Sequence, residues 1–294
     1  SVENIGIIAM GLGLGFLGWS YGQPFVMVAG FSGALLHVLN HAVFKGLLFL
    51  AAGSVVHATG CRDLERMGGI LRRMPQTGAA FLTGSVAISG LPPLNGFVSE
   101  FMVYAAAFAA ALNGTAGLAI PAIGVIGALA LIGGLAAACF AKVFGIAFLG
   151  EPRSDQAAHA HECGFAMRGS QIVLAACCFA IVWGIPWFAP ALFRVAGGIS
   201  GLPVETWSGL MGPLKTGLHW ICAGSAVFLA LCLAITLLRK MLLHGRIIGR
   251  TVTWDCGYAG PTVRMQYTAS SFAQPITSLC RYVLGLRTHA GLLS

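Results

Sequence analysis

The stretch LLHVLNHAVFKGLLFLAAGSVV, from Leu35 to Val56, decides the class of this protein. It is an apolar run, yet His37, His41 and Lys45 recur inside it at steps of four. A helix turns 3.6 residues per turn, so steps of four keep these side chains on one stripe. From first to last the stripe climbs roughly 12 Å, at ~1.5 Å per residue. A charged Lys at mid-bilayer costs ~2.5–3.5 kcal/mol on insertion scales. Ionisable groups kept at that cost are read by default as a path for ions or protons.

Outward from this stretch, the whole chain reads as a membrane protein. Mean hydropathy is +0.84, and only 9% of the 294 residues are charged. Apolar runs of about 20 residues recur, the length a helix needs to cross the hydrocarbon layer. The 41 glycines suit closely packed membrane helices. Ten-residue alternating strands are absent from the pattern, which argues against a β-barrel. Lys and Arg outnumber Asp and Glu by 17 to 9. That surplus suits loops at an anionic bilayer surface better than nucleic acid, and no aromatic platform for bases is apparent. No nucleic-acid partner is expected; the lipid bilayer is.

Six apolar stretches can be drawn: about Asn4–Tyr21, Phe25–His57, Gly78–Leu112, Leu118–Leu149, Gln171–Phe193 and Leu218–Leu238. The second is long for one untilted span, and Gly30 and Gly33 are candidates for its true start. The third is interrupted by GLPPLNG, residues 90–96. Pro-Pro followed by Asn-Gly is turn chemistry. One span there gives six in total; a full turn between two spans gives seven, the reading the turn chemistry favours. The choice also sets orientation. With one span, the basic segments around 60–76, 151–169 and beyond 239 share a side, as the positive-inside rule prefers.

The expected fold is therefore an all-α polytopic transmembrane bundle of about six to seven spans. Three regions are expected: residues 1–149 with the ionisable stripe, 150–238 with further transmembrane helices, and 239–294 as a basic segment, partly interfacial. A chain that opens inside an apolar run, with no start methionine, is expected to be a piece of a longer protein.

Glu100 is the second intramembrane charge, four residues past Gly96. Broken helices at membrane depth are tolerated where they line a polar cavity. Glu100 there is either a proton-accepting carboxylate or an interfacial charge at a helix start. Lys45 is either a proton carrier, since desolvation favours its neutral form, or half of a buried ion pair with Glu100 or Glu3. His41 titrates near neutrality when unperturbed, and His37 shares its stripe.

Other polar residues carry weaker signals. Lys142 is read as snorkelling to the interface, and His57 and His219 as interfacial. Gly11, Gly13 and Gly15 read as close helix packing rather than a nucleotide loop. His159, His161, Glu162 and Cys163 lie together in a loop, but H-x-H-x-C without partners is too weak to assign a metal. The nine cysteines form no C-x-x-C pair and read as packing residues. No cofactor and no metal are expected in this chain, so any electron transfer belongs to a partner.

The run Leu36–Tyr104 also resembles the proton-translocating, antiporter-like membrane subunits of complex I (NADH:quinone oxidoreductase) and its relatives. HVLNHAVFKGLLFLAAGSVVHA (37–58), MGGILRRMP (67–75) and SGLPPLNGFVSEF (89–101) carry the likeness. The resemblance implies that Lys45 is the lysine of a central hydrophilic axis and Glu100 the ionisable residue of a discontinuous helix, with His37 and His41 as auxiliary carriers. It implies the second half of an inverted-repeat fold. Residues 253–275, TWDCGYAGPTVRMQYTASSFAQP, resemble the branch found in hydrogenase-4 and formate hydrogenlyase complexes. That branch implies a subunit of an oxidoreductase complex in the cell's plasma membrane, beside other membrane subunits and a peripheral redox arm. A subunit of a multi-subunit cation/proton antiporter, or an inert membrane anchor, are the competing readings.

Overall fold

The computed structural model describes residues 2–199, 201–246, 265–279 and 285. Most of the 253–275 segment, and Arg250, Arg264, Arg281, Arg287, Cys256 and Cys280, lie outside the described residues. The elements in chain order are α1 (Val2–Ser20), α2 (Pro24–Thr59), α3 (Pro75–Ile88), α4 (Asn95–Asn113), α5 (Ala116–Phe148), α6 (Asp155–Ala158), α7 (Phe165–Ile199), α8 (Val204–Ser208), α9 (Gly212–Leu242) and α10 (Ala269–Leu279). Among the described residues these helices, with three short 3-10 turns, are the only regular structure. Six helical stretches are long and apolar enough to cross a membrane: α1, α2, α4, α5, α7 and Val204–Leu242. The protein is an all-α membrane bundle.

The central element is α2, 36 residues without interruption and about 54 Å long at ~1.5 Å per residue. Pro24 starts it, where a missing N–H costs nothing. Gly30 and Gly33 do not mark a later start; both sit inside the helix and let neighbours approach. A β-carbon on Gly30 would stand 2.7 Å from the Gly15 nitrogen of α1, and one on Gly33 would stand 3.0 Å from the Val103 nitrogen of α4. Gly11 and Gly15 face this same contact, whereas Gly13 points into open space.

The GLPPLNG break is present, but it does not turn the chain back. Leu48 of α2 lies against Gly84 of α3, Asn40 against Asn95, His37 against Ser99, and Gly33 against Val103 of α4. As position falls along α2 it rises steadily through α3 and on into α4. The two helices therefore run in the same sense along α2, as one discontinuous crossing. Six crossings result, not seven. Local turn residues could not reveal this, because the register against α2 decides it. At 14 residues α3 is about 21 Å long, too short to span alone.

With this topology residues 60–76, the 149–164 loop and α10 share one side. Arg72 pairs with Glu151 at 2.8 Å, Arg73 Nε donates to the Ala158 carbonyl at 2.5 Å, and Ser270 N–H donates to Glu65 at 2.8 Å. Glu162 reaches from the loop to the start of α3, accepting from Gln76 N–H at 2.7 Å and the Thr77 hydroxyl at 2.8 Å. It thereby satisfies N–H groups a helix start leaves open. His159 bonds locally to the Asp155 carbonyl at 2.8 Å.

The core is divided. One apolar cluster includes Phe31, Val98, Met102, Leu129, Val182 and Phe193. The other includes Phe44, Leu47, Leu94, Phe81, Phe148 and Cys178. On α2 the first cluster ends at Leu36 and the second begins at Phe44; on α4 the first begins at Val98. A polar layer lies at that boundary.

Candidate proton-path site

The layer is built from α1, α2, α4 and the break. His37 is fully buried. Its Nδ1 lies 2.9 Å from the Ser99 hydroxyl, and its Nε2 lies 3.2 Å from Asn4 Oδ1. Asn40 Nδ2 donates to the Asn95 carbonyl at 2.7 Å and to the Ser99 hydroxyl at 2.9 Å. Asn95 Nδ2 donates back to Asn40 Oδ1 at 3.2 Å. Ser225 of α9 donates its hydroxyl to the Pro93 carbonyl at 3.1 Å, which ties the break to a fourth helix.

This network can serve His37 in either tautomer. The Ser99 hydroxyl donates to the Gly96 carbonyl at 3.0 Å, so it accepts from Nδ1–H. Turned instead toward Nδ1, it becomes the donor. Asn4 Nδ2 is buried without a partner among the described residues. Rotating the Asn4 amide would present that N–H to Nε2. Both ring nitrogens therefore have a neighbour that can either donate or accept a hydrogen bond.

Glu100 follows Ser99 and points the other way. It is 8% exposed and faces a cavity of about 300 Å³, lined also by Ser89, Gly90, Phe97, Tyr104 and Gly134. Gly90 has φ +61, and a β-carbon there would stand 2.6 Å from the Glu100 carboxyl carbon. Glycine is needed for the backbone angle and for the room. The carboxylate thus sits against the exposed backbone of the break.

The sequence stripe is only partly one face. Each step of four advances roughly 400°, so Lys45 is turned about 80° from His37. His37, Asn40, Phe44 and Leu47 lie on the buried face, while His41 and Lys45 are half-buried at its edge. Lys45 Nζ lies 4.9 Å from the ring centre of Phe49, itself 67% exposed. Phe44 packs edge-on to both imidazoles, at 5.7 Å from His41 and 6.1 Å from His37. His41 Nε2 is buried without a partner among the described residues. The structure gathers His37 with the break. It does not bring Lys45 into contact with Glu100, and no ion pair joins them.

Glu3 bridges part of this separation. Its Oε1 is buried without a partner among the described residues. It lies within electrostatic reach of both Lys45 and Glu100. Sequence reasoning considered Glu3 only as an ion-pair partner, and missed Asn4, Asn40, Asn95 and Ser99 altogether. A phase count on α2 would have flagged Asn40, which stands three residues from His37 on the same buried face.

Comparison with known proteins agrees with this architecture. A family model described as the transmembrane region of NADH:quinone oxidoreductase/Mrp antiporter proteins matches residues 13–125. Formate hydrogenlyase subunit 3 of Escherichia coli (strain K12) is 38% identical over 293 residues, covering 98% of this chain and 45% of its own length. Hydrogenase-4 component B of the same organism is 36% identical over 297 residues, covering 98% and 43%. The chain thus spans less than half the length of these curated relatives. Among solved structures, a chain of the membrane-bound sulfane sulfur reductase, an archaeal respiratory membrane complex, shares the fold. Its TM-score is 0.57 at 18% identity, over 97% of this chain and 47% of that one. On these matches, residues 13–125 carry the transmembrane region described for the NADH:quinone oxidoreductase/Mrp antiporter family, and the chain over nearly its whole length is similar to hydrogenase-4 component B and formate hydrogenlyase subunit 3.

Proposed function

We propose that this chain carries protons through the membrane part of a redox-driven complex of the hydrogenase or formate hydrogenlyase type. The observation that carries the reading is the polar layer between two apolar cores, with Glu100 on one side of it and His37 within it. In this reading Glu100 exchanges protons with water through the cavity beside Gly90. The Ser99–His37–Asn4 contacts and Glu3 lead from there toward His41 and Lys45. Lys45, at the edge of the face, hands protons to or takes them from a neighbouring segment. Glu3 supplies the link that the turned stripe lacks. Redox chemistry would lie in a peripheral arm, reached through other membrane subunits, in the cell's plasma membrane. The 36–38% identity, over 98% of this chain, to hydrogenase-4 component B and formate hydrogenlyase subunit 3 supports this branch over a cation/proton antiporter.

The test is proton translocation per electron pair by the assembled complex in sealed vesicles. Lys45→Ala should abolish most of it while assembly persists. Lys45→Arg should also impair it, because Arg effectively never releases its proton. Wild-type pumping by well-assembled Lys45→Ala complex would remove Lys45 from the path. Activity that requires sodium and no electron donor would favour the antiporter reading instead.

A further inference from the structure

Away from the polar layer, a cavity lies at the basic side, between the end of α5, the loop after it and the segment that leads into α10. It encloses about 700 Å³. Its wall is mixed. Gly145, Ile146 and Phe272 give apolar surface, and Lys142 and Arg153 bring two cations. No carboxylate lines it among the described residues.

Arg153 is held but unfinished. Its Nη2 donates to the Tyr267 carbonyl at 2.6 Å. Its Nε and Nη1 are buried and have no hydrogen-bond partner among the described residues. Glu65 is within electrostatic reach of Arg153, but Glu65 Oε1 is taken up by the Ser270 N–H at 2.8 Å and hydroxyl at 2.9 Å. A guanidinium with two buried, unmet N–H groups fits an anion that can accept two hydrogen bonds, such as a phosphate.

Depth distinguishes which phosphate. Lys142 is six residues from the end of α5 at Phe148, roughly 9 Å below it. Arg153 lies beyond that end, in the loop. The two cations therefore bracket the boundary between hydrocarbon and headgroups, where a long Lys chain reaches upward. Ala141 lies deeper than Lys142, Gly145 and Ile146 lie between the two cations, and Phe272 adds apolar surface beside them. A free phosphate would use the cations and leave the apolar wall empty. A phospholipid would use both.

We infer that this cavity is a binding site for an anionic phospholipid, its phosphate on Arg153 and Lys142 and its acyl chains along α5 and Phe272. This inference is independent of the proton-path reading. The experiment uses the assembled complex with the full-length chain, stripped of lipid by detergent washing. It is offered phosphatidylglycerol, phosphatidylcholine or inorganic phosphate, and bound lipid is counted by native mass spectrometry. Phosphatidylglycerol should bind about tenfold or more tighter than phosphatidylcholine. Combined Lys142→Ala and Arg153→Ala should remove that preference, while Lys240→Ala, a cation on α9 that does not line the cavity, should keep it. Gly145→Phe tests the site with its charges intact, since a side chain at Gly145 meets open space. It should fill the cavity and lose the lipid too, and it decides the matter if the double variant fails to assemble. Equal binding of both lipids, wild-type retention by Gly145→Phe, or displacement of the lipid by millimolar inorganic phosphate would each overturn the assignment.

Discussion

Glu100 depends on the residue it faces. Gly90 supplies a left-handed backbone and an empty flank, and both are lost in Gly90→Ala. The conformation alone costs about 1–2 kcal/mol for a residue with a side chain, and the methyl would push the carboxyl aside. Gly90→Ala should therefore lower proton translocation together with thermal stability, measured on the same vesicles and by a melting curve. Glu100→Gln separates the two effects. It keeps shape and hydrogen bonding but removes the titrating proton, so translocation should fall while the melting temperature holds; Glu100→Asp should keep part of the activity. Unchanged translocation in Glu100→Gln would leave Glu100 as a helix-end charge, worth roughly 0.3–1 kcal/mol of stability. Glu100 and Lys45 were visible in the sequence because a charge in an apolar run is costly and stands out. Asn4, Asn40, Asn95 and Ser99 were not, because a neutral amide or hydroxyl carries no such signal. The rotation of Lys45 away from His37 was hidden in the difference between four residues and 3.6.

The helices show the same limit one level up. PPLNG announced a break, and a break is there. Whether the chain reverses at it was not legible, since the answer lies in α2's contacts with residues 84, 95, 99 and 103. The loop holding Glu162 gave a pattern too weak to assign a metal, and nothing in it announced that the Glu162 carboxylate caps α3. Glu162→Ala should cost about 0.5–2 kcal/mol, as the loss of a helix cap does, seen as a lower melting temperature with the α2–α4 network intact. Gly30 gives a steric counterpart. A larger side chain there meets the Gly15 and Gly11 backbone of α1, atoms that cannot swing aside. Gly30→Leu should separate α1 from α2 and displace Asn4 from His37. Cross-linking between cysteines placed at Gly13 and Val38, both outside the tight contact, would not report this; a fall in assembled complex on native gels would. Wild-type assembly levels would show that the contact is looser than the geometry requires.

At the scale of the molecule, six crossings put residues 60–76, the 149–164 loop and the Arg239–Lys240 end of α9 on one side. The positive-inside rule assigns that side to the cytoplasm. A cysteine at exposed Arg62 should then react with a membrane-impermeant thiol reagent only from the cytoplasmic face, and one at exposed Glu205 only from the other; the reverse pattern would invert the topology. The break also has an electrical meaning. In the proposed path, water in the cavity beside Gly90 conducts, so the membrane potential would fall mainly across the closed apolar clusters and little across the approach to Glu100. A full crossing is worth about 2.3 kcal/mol per charge per 100 mV. A proton that enters beside Gly90 would reach Glu100 after spending only a fraction of that drop, leaving the remainder to the steps through His37 and beyond. Voltage should then slow the later transfer much more than the first, which makes the polar layer a divider that portions out the field between filling and forwarding.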